Sequence, residues 1–105
     1  MAYMNVTEVE SAITALASAN PGLCELITLP NTTHEGRTSH AMRVSLGALD
    51  DRPAMLFVGC HHAREWGSAE ICINFATDLI EAYTTNAGLA YGGKSFTAAQ
   101  VKAVV

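Results

Sequence analysis

Residues 60–66 read Cys-His-His-Ala-Arg-Glu-Trp, which places a thiol, two imidazoles, a guanidinium, a carboxylate and an indole within seven positions. His62 and Glu65 are separated by two residues, a spacing at which side chains in a turn or helix point toward one locus. A neutral imidazole nitrogen and a carboxylate oxygen both suit Zn²⁺, and a catalytic zinc commonly takes two histidines and one acidic residue while keeping a position for water. Here one histidine and one glutamate come from a single segment, so a second histidine would have to come from elsewhere. A helix starting just after Glu65 would favour a carboxylate at that place through its dipole. The plain alternative for His62 and Glu65 is an exposed ion pair. His61 is expected at the surface beside the pair rather than as a ligand, and Cys60 is expected to tuck inward.

The elements around this segment follow from pattern. Pro53 to Gly59 reads Pro-Ala-Met-Leu-Phe-Val-Gly, and a continuous apolar run of that length predicts a strand covered on both faces, central in a layered α/β sheet. Ligands in such sheets bind beyond the carboxyl ends of the strands, which is where His61–Glu65 falls. Downstream, a helix is predicted over Ser68 to Tyr83, with Cys72, Phe75, Ala76, Leu79 and Tyr83 on one stripe. Upstream, Val9, Ala12, Ile13, Leu16 and Ala17 predict a helix over Glu8 to Ala19, started by either of two overlapping capping boxes, Asn5-x-x-Glu8 or Thr7-x-x-Glu10. Asn20-Pro21-Gly22 stops it. Strands are predicted over Leu23 to Leu29 and His40 to Leu46, joined by a polar hairpin loop turning at Gly36 and braced by Arg37, with His34 and His40 as solvent-facing residues. Gly47 to Pro53 reads as a second polar turn, with Asp50 and Asp51 solvated. Asn86 to Lys94 reads as a glycine-broken loop. Thr97-x-x-Gln100 is a further capping box, and the helix it opens has only two turns before Val105. That pattern predicts a chain cut inside a larger domain.

Composition excludes several classes. The 105 residues fit one domain or part of one, and half of them are hydrophobic, which supports a packed core. The net charge of −4 leaves no basic stripe to neutralise phosphates, so no nucleic-acid partner is expected. No apolar run approaches bilayer length and no membrane association is expected. The N-terminus lacks a basic start and an apolar signal core, making the cytoplasm the default compartment. Three cysteines, Cys24, Cys60 and Cys72, without a CxxC pair predict reduced thiols rather than a disulfide scaffold.

The string Gly59-Cys60-His61-His62-Ala63-Arg64-Glu65-Trp66 resembles the first metal-binding segment of the zinc carboxypeptidases of the carboxypeptidase A/B type, Gly-x-His-x-Arg-Glu-Trp or a variant with an extra histidine before the ligand. The Glu35-Gly36-Arg37 turn and the alternating strand after it resemble the family's early hairpin. The resemblance runs from about Asn5 to the end of the chain and implies the N-terminal part of a catalytic domain, an α/β three-layer sandwich with a mixed sheet, here as helix, three strands, helix and the start of a further helix. It implies that His62 and Glu65 are zinc ligands, that Arg64 helps bind substrate, that Trp66 is structural beside the ligands and that His61 is the extra histidine. It further implies one Zn²⁺ per complete domain, a peptide or protein C-terminus as substrate, and release of the C-terminal residue. The third ligand, the carboxylate-binding residues and the general-base glutamate have no matching segment in this chain. No catalytic residue is therefore expected within it, and the chain alone is expected to be inactive. Glu65 cannot be both ligand and general base. Two rivals are a zinc amidase or deacylase of the same fold, whose His-Gly-x-Glu form is absent here, and a non-catalytic binding module.

Overall fold

The computed structural model describes residues 2–47 and 51–105. Asp50 and the middle of the turn expected after Gly47 lie outside the described residues. The chain runs α1 (Val6–Ala19), β1 (Cys24–Thr28), β2 (His40–Val44), α2 (Gly67–Thr84), β3 (Leu89–Tyr91), β4 (Lys94–Phe96) and α3 (Ala98–Val104).

Of the two capping boxes at the first helix, the structure uses Asn5. Its side chain accepts from the Glu8 backbone N–H at 3.0 Å, and the Glu8 carboxylate accepts from the Asn5 N–H at 2.7 Å. The reciprocal pair satisfies two donors that the first turn cannot satisfy by itself. At the other end, the Asn20 side-chain amide donates to the Leu16 carbonyl at 2.9 Å, and Gly22 takes a φ of +84° to reverse the chain. The five residues of the predicted α1 stripe, Val9 to Ala17, are all half-buried.

β1 and β2 form an antiparallel hairpin in which Cys24 pairs with Val44, Leu26 with Met42 and Thr28 with His40. The connecting loop turns where expected: the Gly36 N–H donates to the Thr33 carbonyl at 2.9 Å with φ +77° at Gly36, the Thr33 N–H donates to the Arg37 carbonyl at 2.8 Å, and the Arg37 N–H donates to the Thr33 hydroxyl at 3.1 Å. His40 departs from expectation. It lies in β2, half-buried, with its Nδ1 2.7 Å from the Glu10 carboxylate on α1, a polar contact between the helix and the hairpin.

The core gathers where α1, the hairpin and α2 meet. Leu23, Cys24, Ile80 and Val105 are buried together, with Leu16, Ala17, Met42, Val44, Leu79 and Tyr83 packed around them. Burial in this apolar site pushes the Cys24 thiol pKa up and keeps it protonated. On α2 the buried residues are Ala76, Ile80 and Ala82. Ala76 belongs to the predicted stripe, and the rest of that stripe is half-buried. The stripe is broader than expected because α2 is covered from more than one side: α1, α3 and β3 all pack on it.

Two expectations are corrected. The glycine-broken loop over Asn86 to Lys94 is mostly a second antiparallel hairpin, with Leu89 paired to Phe96 and Tyr91 to Lys94 around Gly92-Gly93. Both glycines have positive φ, +55° and +79°, as a tight two-residue hairpin turn requires. The central strand expected over Pro53 to Gly59 does not form. Residues 53–60 have no ladder partner among the described residues, and Met55 and Leu56 are 79% and 83% exposed. A strand is held by its neighbours' hydrogen bonds, and among the described residues β1 and β2 pair only with each other. The architecture is therefore α/β with three helices and two small antiparallel sheets, compatible with part of an α/β domain; the mixed three-strand sheet is not present among the described residues. None of the described helices is long and apolar enough to cross a membrane.

Candidate metal centre

Residues 60–66 form a tight loop between the unpaired segment and α2. Cys60 has φ +59°, a left-handed conformation uncommon for a residue with a side chain. It turns the backbone sharply just before the two histidines. The loop then folds on itself: the Glu65 N–H donates to the His62 carbonyl at 3.0 Å, and the Ser68 N–H to the Glu65 carbonyl at 3.1 Å. The Trp66 indole N–H donates to the Ala63 carbonyl, and its ring meets Tyr3 edge-on, with centroids 5.9 Å apart at 82°. The expectation for Cys60 is corrected: it is exposed, because the left-handed turn aims its thiol toward the Glu65 carbonyl, 3.6 Å away, and not into the core.

This backbone brings His62 and Glu65 together. The His62 Nδ1 lies 2.7 Å from the Glu65 Oε1, and the His62 backbone N–H donates to Oε2 at 3.3 Å. The contact requires the ring proton on Nδ1. The hydrogen bond from the His62 side chain holds the Glu65 carboxyl below the usual carboxylate range; slight desolvation opposes this, and the His62 backbone and His61 add to it. Glu65 is thus a carboxylate at neutral pH, the form that binds metal ions. Both side chains are open to solvent, 68% for His62 and 39% for Glu65.

Zinc binds imidazole nitrogen and carboxylate oxygen at about 2.0–2.2 Å, which puts two tetrahedral ligands roughly 3.3 Å apart. A small opening of the 2.7 Å pair, with the ring proton moved from Nδ1 to Nε2, meets that requirement, so the donor chemistry fits two positions of a zinc site. No set of three or more histidine, cysteine, aspartate or glutamate side chains able to hold a metal occurs among the described residues. His61 is exposed. Arg64 is exposed and forms no ion pair with Glu65 or Glu70 among the described residues; Glu70 instead accepts from the Met4 N–H at 2.5 Å. Arg64, Glu65 and Trp66 line a shallow pocket of about 250 Å³ together with Tyr3, Gly67, Ser68 and Ile71.

The comparison with known families decides what this loop belongs to. Residues 9–95 match the family model described as zinc carboxypeptidase. The chain belongs to that family. A metallocarboxypeptidase A of Trichophyton tonsurans and one of Trichophyton equinum are each 36% identical to it over 58 residues. A probable metallocarboxypeptidase A of Arthroderma benhamiae is 34% identical over the same length. The matched segment is 54% of this chain and 14% of each relative, so the chain matches only a small part of the relatives' length. No solved structure matches the chain. Family membership agrees with the resemblance carried by residues 59–66.

Sequence reasoning overlooked Tyr3 and Ser68, and it gave no packing reason for Gly59. Tyr3 lies against Trp66. Gly59 sits where a Cβ would come within 2.8 Å of the Ser68 carbonyl oxygen. Ser68 bonds both ends of the loop. The signal for Ser68 was a hydroxyl three residues after Glu65 in the first helical turn, a position from which it can reach back to a preceding carbonyl.

Proposed function

We propose that this chain is the N-terminal part of the catalytic domain of a zinc-dependent metallocarboxypeptidase that removes the C-terminal residue of peptides or proteins. The observation that carries the reading is the convergence of His62 Nδ1 and Glu65 Oε1, 2.7 Å apart, on an exposed loop of a chain in the zinc carboxypeptidase family. His62 and Glu65 hold one zinc ion in this reading. The ion supplies Lewis acidity toward the scissile carbonyl and water. Arg64, exposed beside Glu65 on the rim of the pocket, offers a fixed positive charge to an acidic or carbonyl group of the substrate. Trp66 and Tyr3 wall the same pocket and give it an apolar side.

The third metal ligand and the general base come from outside residues 1–105 in this proposal, and the chain alone is inactive. The short matched share of the relatives supports that division. The test uses the full-length protein and an N-blocked dipeptide with a free C-terminus. Hydrolysis is expected to stop on chelation and return with Zn²⁺. His62→Ala and Glu65→Ala should each lower kcat/KM by more than about 100-fold, the upper end of what loss of a residue behind a metal ligand costs. Full-length protein that hydrolyses the dipeptide equally well after both substitutions would overturn the assignment.

A further inference from the structure

The loop that carries His62 and Glu65 is exposed, and among the described residues no strand pairs with the segment that leads into it. The Ser68 hydroxyl, on the first turn of α2, accepts the Cys60 backbone N–H at 2.6 Å and donates to the Glu65 carbonyl at 2.6 Å. One oxygen therefore joins the two ends of the loop, with His61–Arg64 between them. The residue whose N–H it holds is Cys60, at φ +59°. A left-handed residue that carries a side chain is strained and persists only when its surroundings hold it. Gly59 comes so close to the Ser68 carbonyl that no Cβ fits between them, so the entry to the loop is seated directly on the helix that supplies the hydroxyl. The other end of the clamp is the backbone of Glu65 itself.

We propose that Ser68 is a positioning residue: its hydroxyl presets the loop so that the His62 imidazole and the Glu65 carboxylate face one another before a metal arrives. The inference rests on the reading of that pair as zinc ligands. Ser68 touches neither side chain of the pair, and its effect passes through the backbone at Cys60 and Glu65. Threonine keeps the hydroxyl and should keep the clamp; alanine removes both bonds.

The test compares full-length wild type, Ser68→Ala, Ser68→Thr and His62→Ala. Zinc affinity is measured by competition with a chromophoric chelator. The ring-nitrogen chemical shifts of His62 in the metal-free protein report which nitrogen carries the proton. Ser68→Ala is expected to weaken zinc binding about 10–100-fold, the range for residues that orient metal ligands, and to shift His62 from the Nδ1–H form to a mixture. Ser68→Thr is expected to restore both readouts to within a few-fold of wild type. Should the alanine variant not fold, Ser68→Val, of the same shape as the threonine variant but without a hydroxyl, takes its place with the same expected losses. If His62→Ala loses zinc while Ser68→Ala binds it like wild type with an unchanged His62 tautomer, the positioning role falls and the ligand assignment stands. Equal losses in Ser68→Ala and Ser68→Thr also overturn it, because the hydroxyl would then not be the cause. If His62→Ala binds zinc like wild type, the ligand assignment itself falls, and the tautomer comparison alone decides whether Ser68 orders the loop.

Discussion

The β1–β2 hairpin and segment 53–60 both lie against α2, with opposite results. In the hairpin, Cys24 is paired with Val44 and buried beside Ile80. In the segment, Phe57 rests on Phe75 of α2 with ring centroids 5.1 Å apart, yet Met55, Leu56, Phe57 and Val58 all stay exposed. The more apolar of the two stretches is the less buried. A helix can cover one side of a chain segment, but it cannot satisfy the backbone donors and acceptors that a neighbouring strand would take. Burial of a strand therefore depends on its lateral partners, and the side chains only set what those partners stand to gain.

The comparison can be broken at several points. The largest effect is expected at Ile80, which is 3% exposed at the centre of the hairpin side. Ile80→Ala should cost about 2–5 kcal/mol in chemical denaturation, through lost burial and a residual cavity. Asn5→Ala removes the side-chain half of the α1 capping box and should cost about 1 kcal/mol in the same assay, because α1 lies over the hairpin.

A smaller, pH-dependent effect belongs to the other side of α2. There Phe57, Phe75 and Tyr91 form a chain of rings, and the Tyr91 hydroxyl donates to the Asp78 carboxylate. That bond, with some burial and the Asp78 charge, pushes the Tyr91 pKa from 10.0 up to about 12. The protonated form is the one the fold favours. Its contribution is thus complete below about pH 10 and is lost as pH rises toward 12. Tyr91→Phe should delete the tyrosinate absorbance step near pH 12 and flatten the stability profile in that window.

The smallest effect is expected within segment 53–60. Leu56→Ser should change the stability of this chain by no more than about 0.5 kcal/mol, as for other exposed positions. A loss comparable to that of Ile80→Ala would mean that the segment is buried after all and would remove the contrast.

Much of the hairpin side is legible from local chemistry. The Asn5 and Thr97 capping boxes, the stop at Asn20-Pro21-Gly22 and the turn at Gly36 each use residues within a few positions of one another, so the sequence carries their signals intact. The approach of His62 to Glu65 was legible for the same reason. The failures are of two kinds. β3 and β4 have three residues each, too short for alternation to register, and their glycine pair reads first as a loop breaker. Segment 53–60 failed because its expected neighbours are a non-local property. Cys60 goes with it: alternation along a strand predicts an inward thiol, whereas the chain turns left-handed at that residue. Ser68 escaped notice because its two bonds are to backbone atoms, which have no letter in a sequence.

Trp66 is the only tryptophan in the chain. Its indole is anchored to the Ala63 carbonyl and to the edge of Tyr3, adjacent in sequence to Glu65. The protein thus carries an intrinsic fluorophore inside the loop, with no second indole in these 105 residues to dilute the signal. Changes in its emission report the local environment of residues 62–65 optically, without a label.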